Sequence, residues 1–574
     1  MRATPALLRY APLGAFVAVS VLLAFSVHRD GHFWGDDFAL YIRQSEGLVN
    51  GNWAQVISDN HFSVDNSAWH TFSPYVYPWG FPMLLAPFYS QWGLDYEHLK
   101  WLGVICFAVF LVCFNRITER RIGYGAALAL TVAIGCSLPF LGQTNTVQSE
   151  MPFLAFAGIS LWLIDRLGER NAWEADRAWP LVALGGVLAF TFNIRREGLA
   201  LLVALAAVHV VHLVTTRHAP KWWRSVRWKR LTLPYVTFAV SVAVFQLVLP
   251  SVLVPDYPGT GFQNLKANVP YFRDELASQL GFSRPYRDHY EVFGSTTLGQ
   301  TMFRLVLWLI LIGFVARLVR NWRQDASLLA YTAAMIGVTG RLPFHEGRYL
   351  LQLTPFLLYF AAQALPTLAQ LIVAASGRRP TPGEPTDEIE LAAELPFADL
   401  SDLPDIVVAD IGADPDAPEV DAETGAGGQR ADERPALLYR VAVGVVIVGL
   451  AGIALLGFSA TRGEADRTAA GDATGIPQWG PTDPNVEEMW AAVRANTRAD
   501  DVVAFFRSRA MTLETDRRSI QSGGLATILE AADYYAMEKG SSYSQPNVTD
   551  EQAAEAGMVK VWENTKFVLW QIPQ

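Results

Sequence analysis

The sequence predicts a mainly α fold: a polytopic transmembrane bundle of about 11 helices, followed by a small extracytoplasmic α/β domain. Three observations carry that expectation. Apolar residues come in blocks of membrane-spanning length, basic residues alternate between the loops that join them, and the residues after 459 lose the blocks altogether. Of the 574 residues, 51% are hydrophobic and 17% charged, with a mean hydropathy of +0.20. Those values exclude a disordered tail, a collagen-like fibre and a disulfide scaffold. The 18 Trp, 19 Tyr and 32 Phe suit aromatic anchoring at a bilayer interface.

The apolar blocks lie at about 10–27, 100–115, 124–141, 151–164, 180–194, 198–214, 231–254, 301–319, 326–340, 349–374 and 437–459. Most approach the ~20 residues needed to cross ~30 Å of hydrocarbon. The first block ends in Ser26-Val27-His28-Arg29-Asp30 without a small-x-small cleavage pattern, so it reads as a retained helix. One set of loops carries Arg116/Arg120/Arg121, Arg166/Arg170/Arg177, Arg217/Lys221/Arg224/Arg227/Lys229/Arg230, Arg317/Arg320/Arg323 and Arg378/Arg379. The alternate loops are long, aromatic and poor in basic residues, above all 28–99. The positive-inside rule therefore expects a cytoplasmic N-terminus and an outer C-terminal domain.

The resulting organisation is a membrane core over 1–375 with its long first outer loop, a linker over 376–436, a last helix over 437–459 and the α/β domain over 460–574. The net charge of −10 belongs to the linker. Between Thr381 and Gln429 it holds 14 acidic residues and no Lys or Arg, and the remainder of the chain is mildly basic. Rich in Pro, Ala and Gly and without a helical or strand period, the linker reads as solvated and disordered. Cys106, Cys113 and Cys136 all fall inside apolar blocks, where small buried hydrophobes are expected rather than disulfide or metal partners.

Within the last domain, Asp483-Pro484 starts a helix over Val486–Asn496, and Val502–Phe506 reads as a short buried strand. Val559–Trp562 and Lys566–Ile572 alternate across a polar turn and read as a hairpin. No phosphate loop, dinucleotide fingerprint, metal-spaced His/Cys set or nucleophile elbow occurs in the chain.

Two blocks are short, and both end in charge. The block at 180–194 runs into Asn193-Ile194-Arg195-Arg196-Glu197-Gly198, and that at 326–340 into Arg341-Leu342-Pro343-Phe344-His345-Glu346-Gly347-Arg348. Such groups near the outer interface form either plain juxtamembrane charge or a basic pocket for an anion. The first outer loop holds Trp34-Gly35-Asp36-Asp37-Phe38-Ala39-Leu40-Tyr41 and then Tyr77-Pro78-Trp79-Gly80-Phe81-Pro82. A carboxylate of the Asp36–Asp37 pair is placed to accept a proton from an attacking hydroxyl, or else the pair caps the helix that follows.

These residues, in this order, resemble the GT-C superfamily of polytopic glycosyltransferases. The likeness is to bacterial relatives of protein O-mannosyltransferases and of the lipid A aminoarabinose transferase, and it covers nearly the whole chain apart from the acidic linker. In that superfamily the first outer loop carries an Asp with a Tyr four residues on, a spacing met by Asp37 and Tyr41. The Tyr-Pro-x-Gly-x-Pro run matches Tyr77, Pro78, Gly80 and Pro82, and the Ser-Asp/Glu-x-Pro turn matches Ser149-Glu150-Met151-Pro152. The Arg-x-x-Gly segment matches Arg195 to Gly198, and an Arg-Tyr segment matches Arg348-Tyr349 to Pro355.

The resemblance implies a multi-pass enzyme of the bacterial inner membrane. It would transfer a hexosyl or pentosyl group from a polyprenyl-phosphate donor to a glycan, glycolipid or protein acceptor on the outer face. It assigns Asp37 as general base with Asp36 as second candidate, since the pair is Asp-Asp where many relatives have Asp-Glu. Glu150, Arg195, Arg196, Arg348, Tyr349, Tyr41 and Tyr77 are implied as substrate-binding. Guanidinium would hold the lipid phosphate bidentately, and attack opposite the leaving group would invert the anomeric centre.

No metal site is expected, although the aspartate pair leaves a divalent cation open. A transporter or flippase of a lipid-linked or anionic substrate is the competing class, and a non-catalytic membrane scaffold is a third. His209 and His212 are expected to pack rather than bind metal. The Lys221–Arg230 stretch is expected at an inner-leaflet surface rather than on nucleic acid. The loop over 255–300, with Lys266, Arg273, Arg284 and Arg287, reads as a cover for the outer site or an ordinary structured loop.

Overall fold

The computed structural model describes residues 5–67, 74–217, 222–254, 260–282, 297–343, 346–375, 434–473 and 479–573. The core of the acidic linker, Arg378/Arg379, Lys221, Phe344, His345, Arg284 and Arg287 lie outside the described residues.

In chain order the elements are α1 (Pro5–Ser26), α2 (Asp37–Asn50), α3 (Trp53–Asn66), α4 (Gly80–Trp92), α5 (Tyr96–Ile122), α6 (Tyr124–Gly135), α7 (Leu138–Gln143), α8 (Glu150–Glu169) and α9 (Trp179–Ile194). A 3-10 turn over Arg196–Gly198 leads into α10 (Leu199–Thr216), α11 (Trp222–Ser225), α12 (Trp228–Val248), α13 (Gln263–Ala267), α14 (Val269–Gln279), α15 (Thr297–Arg320), α16 (Trp322–Thr339) and α17 (Thr354–Ala375). After the linker come α18 (Arg434–Ala473), α19 (Pro484–Asn496), β1 (Val502–Ala504), α20 (Ser508–Thr515), β2 (Arg518–Ile520), α21 (Leu525–Ala531), β3 (Tyr534–Glu538), α22 (Asp550–Glu555), β4 (Val559–Glu563) and β5 (Phe567–Gln571).

Among the described residues, seven helices are long and apolar enough to cross a membrane, and three shorter apolar helices fall within α1, α6 and α9. The protein is therefore a multi-pass membrane protein with a mainly helical bundle. The 16 residues of α9 rise only ~24 Å, short of the ~30 Å of hydrocarbon, so its charged end sits close to the bilayer. α12, α15 and α18 bury little of their surface against protein and present Val, Leu and Trp side chains outward, as lipid-facing helices do. α18 continues to Ala473, well past 459, and its later turns still pack on the rest of the protein, Thr461 donating to the Cys136 carbonyl and Glu464 pairing with Arg29 at 3.0 Å.

That domain is a five-stranded sheet of order β2-β1-β3-β5-β4, parallel from β2 to β3 and antiparallel from β3 to β4. Asp483 caps α19 by accepting from the Asn485 N–H, and the hairpin expected from the alternation is β4–β5. One face of the sheet packs on the bundle. There Trp34, only 7% exposed, is surrounded by Trp479, Trp490, Phe505 and Phe506 at ring-centroid distances of 5.0–6.3 Å. Trp34, two residues ahead of Asp36, thus anchors the first loop to the C-terminal domain.

At the other end of the bundle a buried ion network joins five helices. Asp325 of α16 accepts from Arg121 Nε of α5 at 2.9 Å, Arg317 Nε of α15 at 2.5 Å and the Tyr359 hydroxyl of α17 at 3.0 Å. Arg121 Nη1 also reaches Asp165 of α8 at 2.8 Å. Arg121 and Arg317 are therefore not loop charges facing lipid headgroups, as their sequence positions suggest. Each is buried because an aspartate on a neighbouring helix neutralises it.

Removing one partner of such a network leaves a buried charge uncompensated. Asp325→Ala is expected to destabilise the detergent-solubilised protein by ~3–5 kcal/mol. An unchanged thermal unfolding midpoint would show that the network does not clamp the bundle.

Candidate active site

α8 starts at Glu150 and reaches the ion network at Asp165, so Glu150 marks the opposite end of the bundle. Three glycine-dependent or helix-end features bring the site residues to that end. A Cβ on Gly80 would lie 2.6 Å from the Asn193 carbonyl, so only glycine lets α4 begin against the end of α9. This close approach brings the start of α4, with Tyr77 just ahead of it, to the end of α9, with Arg195 just after it. A Cβ on Gly198 would lie 2.9 Å from the Phe192 backbone, which lets the Arg196–Gly198 turn fold back on α9. Asp37 opens α2 and Tyr41 follows one turn later on the same face.

The side chains form a line of alternating charge. Tyr77 donates to Asp37 Oδ1 at 2.6 Å, and Arg348 Nη2 donates to Asp37 Oδ2 at 2.8 Å. Arg348 Nε lies 3.7 Å from Glu150 Oε1, which accepts from Arg195 Nη1 at 2.6 Å. Arg195 also donates to Ser149 Oγ at 3.1 Å and to Glu197 Oε1 at 2.9 Å. The Tyr349 ring sits under both guanidiniums, 5.7 Å from Arg195 and 5.5 Å from Arg348. Tyr41 stacks on Tyr77 with centroids 4.6 Å apart, and its hydroxyl bonds with Ser149.

Glu150 Oε2 and Arg195 Nε have no hydrogen-bond partner among the described residues. Both are buried polar atoms, which marks this end of the line as a place where a ligand would complete the bonding.

Two expected residues face elsewhere. Arg196 donates to the Val252 and Phe192 carbonyls, to Asn193 and to Ser251, so it ties α9 to the segment after α12 instead of entering the line. Asp36 occupies the N-cap position of α2 but its side chain makes no capping bond. It turns toward the C-terminal domain, with Oδ2 3.9 Å from Arg507 Nη1. Burial raises its carboxyl above the ordinary value, against the opposing pull of Arg507 and Arg509.

Burial acts in the same direction on Asp37, but Arg348, the Tyr77 hydrogen bond and Arg509 prevail and hold it down at about 2. Asp37 is thus a fixed carboxylate, paired on both oxygens.

Sequence reasoning missed His32 and Arg509. His32 is fully buried, stacks on Phe38 at 4.0 Å, and accepts the Val147 N–H at 3.0 Å. Burial pushes its ring down to about 3, so it is a neutral strut between the first loop and the turn carrying Ser149 and Glu150. A single histidine beside Phe33 carries no motif that would have revealed this. Arg509 lies in the distant C-terminal domain, and its guanidinium reaches Tyr77. Glu197 and Glu346 stood in the sequence only as members of charged helix ends; Glu346 Oε2 lies 2.5 Å from Arg348 Nε.

His209 and His212 pack at the basic end, His209 with Tyr235 at 3.0 Å and His212 3.5 Å from Glu174. Among the described residues no group of three or more His, Cys, Asp or Glu side chains is arranged to hold a metal ion. Of the loop over 255–300, the described part lies against the Arg348 segment as ordered structure. Asn268 donates to the Gly340 and Leu342 carbonyls and Gln279 to that of Gly347.

A crystal structure of ArnT from Cupriavidus metallidurans bound to undecaprenyl phosphate matches with a TM-score of 0.52, covering 98% of this chain and 100% of that one at 15% identity. The chain has the GT-C fold. The apo ArnT structure from the same organism matches with a TM-score of 0.49 at 12% identity, over 98% of this chain and 99% of that one. The Archaeoglobus fulgidus oligosaccharyltransferase tethered with an acceptor peptide matches with a TM-score of 0.47 at 10% identity, over 92% of this chain and 69% of that one. No family model matches the chain, and no curated protein sequence matches it at a significant level. At these identities the likeness is one of fold, and the GT-C bundle is what positions the line of charges.

Asp37's folded value lies below its ordinary 3.8, so its pairing contributes stability above that value and loses it as pH falls through about 2. In Asp37→Asn the melting temperature should therefore vary less with pH over that window than in the wild type. Equal slopes would show that Asp37 is not held by its partners.

Proposed function

We propose that this protein is a membrane glycosyltransferase that takes a sugar from a polyprenyl-phosphate donor and transfers it to an envelope acceptor on the outer face. The observation that carries the reading is the alternating line from Asp37 through Arg348 and Glu150 to Arg195, assembled from four separate segments at one end of a GT-C bundle. The sequence's resemblance to that superfamily and a fold shared with a protein bound to undecaprenyl phosphate support the choice of donor.

The chemistry requires few parts. The donor phosphate is bound by Arg348 and Arg195, whose planar forks suit phosphate oxygens and remain charged throughout. Arg195 Nε supplies a donor that has no partner among the described residues. Tyr349 keeps the two guanidiniums in one plane of approach through its ring face. Glu150 and Glu197 orient Arg195, and Arg196 keeps the end of α9 in place.

Asp37 acts as general base. In the ligand-free site Arg348 makes it a weak one, because a carboxylate at about 2 holds a proton poorly. A phosphate that draws Arg348 to itself removes the strongest cause of that depression. Donor binding thereby strengthens the base in the complex where it is needed. The acceptor hydroxyl then gives its proton to Asp37 while its oxygen bonds to the anomeric carbon. The bond from that carbon to the phosphate oxygen breaks, the electron pair leaves with the polyprenyl phosphate, and the configuration inverts. Sugar release from the donor separates this reading from a transporter or flippase, which would move its substrate intact.

Asp37→Asn is expected to lower turnover by about 10²- to 10⁴-fold in a purified assay with a polyprenyl-phosphate sugar, while the protein remains folded. Full turnover in that variant would remove Asp37 from the base role. Arg348→Ala should raise the donor KM more than the acceptor KM, and an unchanged donor KM would place the phosphate elsewhere.

A further inference from the structure

Arg509 belongs to the second residue position of α20, in the domain beyond the last membrane helix, yet its side chain lies in the membrane-proximal site. It is 6% exposed and donates from three nitrogens: Nε to Asn60 Oδ1 at 2.9 Å, Nη2 to the Pro74 carbonyl at 2.9 Å, and Nη1 to the Tyr77 hydroxyl at 3.3 Å. Its guanidinium carbon stands 5.3 Å from the centre of the Tyr77 ring. Arginine has donors only. Its N–H therefore occupies a lone pair of the Tyr77 oxygen, and the single hydroxyl proton of Tyr77 is committed to Asp37 Oδ1, 2.6 Å away.

We propose that Arg509 is a positioning residue for the reaction: acting through Tyr77, the C-terminal domain holds Asp37 by Oδ1 and so aims Oδ2 at the acceptor. The inference rests on the reading of Asp37 as general base given above. It assigns the two oxygens different duties. Oδ2 is paired with Arg348 until the donor phosphate takes that guanidinium, whereas Oδ1 stays tied to Tyr77 throughout. The same short segment also meets the neighbouring carboxylate, Arg507 standing 3.9 Å from Asp36. A base whose geometry depends on a separate domain would be correctly aimed only while that domain is seated on the first loop.

A double-mutant cycle on the full-length protein tests this, with the polyprenyl-phosphate sugar that the wild type turns over as donor. Arg509→Met and Tyr77→Phe are each expected to lower kcat by about 10- to 100-fold, with the donor KM within about twofold of wild type. If Arg509 acts through Tyr77, adding Arg509→Met to Tyr77→Phe should cost less than about a further twofold. Arg509→Lys, which retains a donor, should recover part of the loss. Penalties that multiply in the double variant, or an unchanged kcat in Arg509→Met, would overturn the inference. If Arg509→Met does not fold, the same cycle run with Arg509→Lys decides by the same criterion. Absence of sugar transfer in the wild type with any such donor would strike the glycosyltransferase reading itself, whereas wild-type transfer with multiplying penalties overturns this inference alone.

Discussion

The ion pair between Asp37 and Arg348, 2.8 Å long and joining residues 311 positions apart, is the contact on which the rest of the site depends. It ties the first loop to the segment between α16 and α17 and passes charge on to Glu150 and Arg195. Each guanidinium is already engaged by carboxylates, so an anionic ligand must compete for it. That competition has a use. The carboxylates hold both arginines in place before the ligand arrives, which limits the ordering cost of binding. In the proposed reaction, exchange of Asp37 for phosphate on Arg348 would couple donor capture to activation of the base.

The scaffold makes such a line affordable only at a helix end. α9 is too short to carry Arg195 through the bilayer surface, and Gly80 and Gly198 allow the close backbone approaches that hold it there. At the opposite end, Asp325 binds two arginines and a tyrosine from three other helices, so the bundle that carries the site is clamped where no ligand is expected. Trp34, inserted among four aromatic rings of the C-terminal region, fixes the entrance to α2 and with it the height of Asp37.

Much of this was legible in the residues. Apolar block length located the seven described helices that are long and apolar enough to cross a membrane, though it expected about 11, and alternation located β4–β5, because both signals are local and periodic. The resemblance to the GT-C superfamily implied Asp37 with Tyr41, and the charged ends of α9 and α16 stood out because short helices ending in charge are unusual near a bilayer. What no local pattern reveals is partnership over hundreds of residues. Arg121 and Arg317 looked like loop charges until Asp325 and Asp165 stood beside them. Arg195 and Arg196 are adjacent and chemically identical, yet the end of α9 turns one into the line and the other toward Ser251. Arg509 and His32 reach their partners only through tertiary folding, which leaves no spacing to read.

In the proposed site, donor phosphate and Asp37 share Arg348. A cryo-electron-microscopy structure of the full-length protein with polyprenyl phosphate bound tests it most directly. The phosphate should lie within hydrogen-bonding distance of Arg348 and Arg195, with the Arg348–Asp37 contact opened and the Tyr77–Asp37 hydrogen bond retained. Phosphate bound away from both arginines, with the 2.8 Å pair intact, would contradict it.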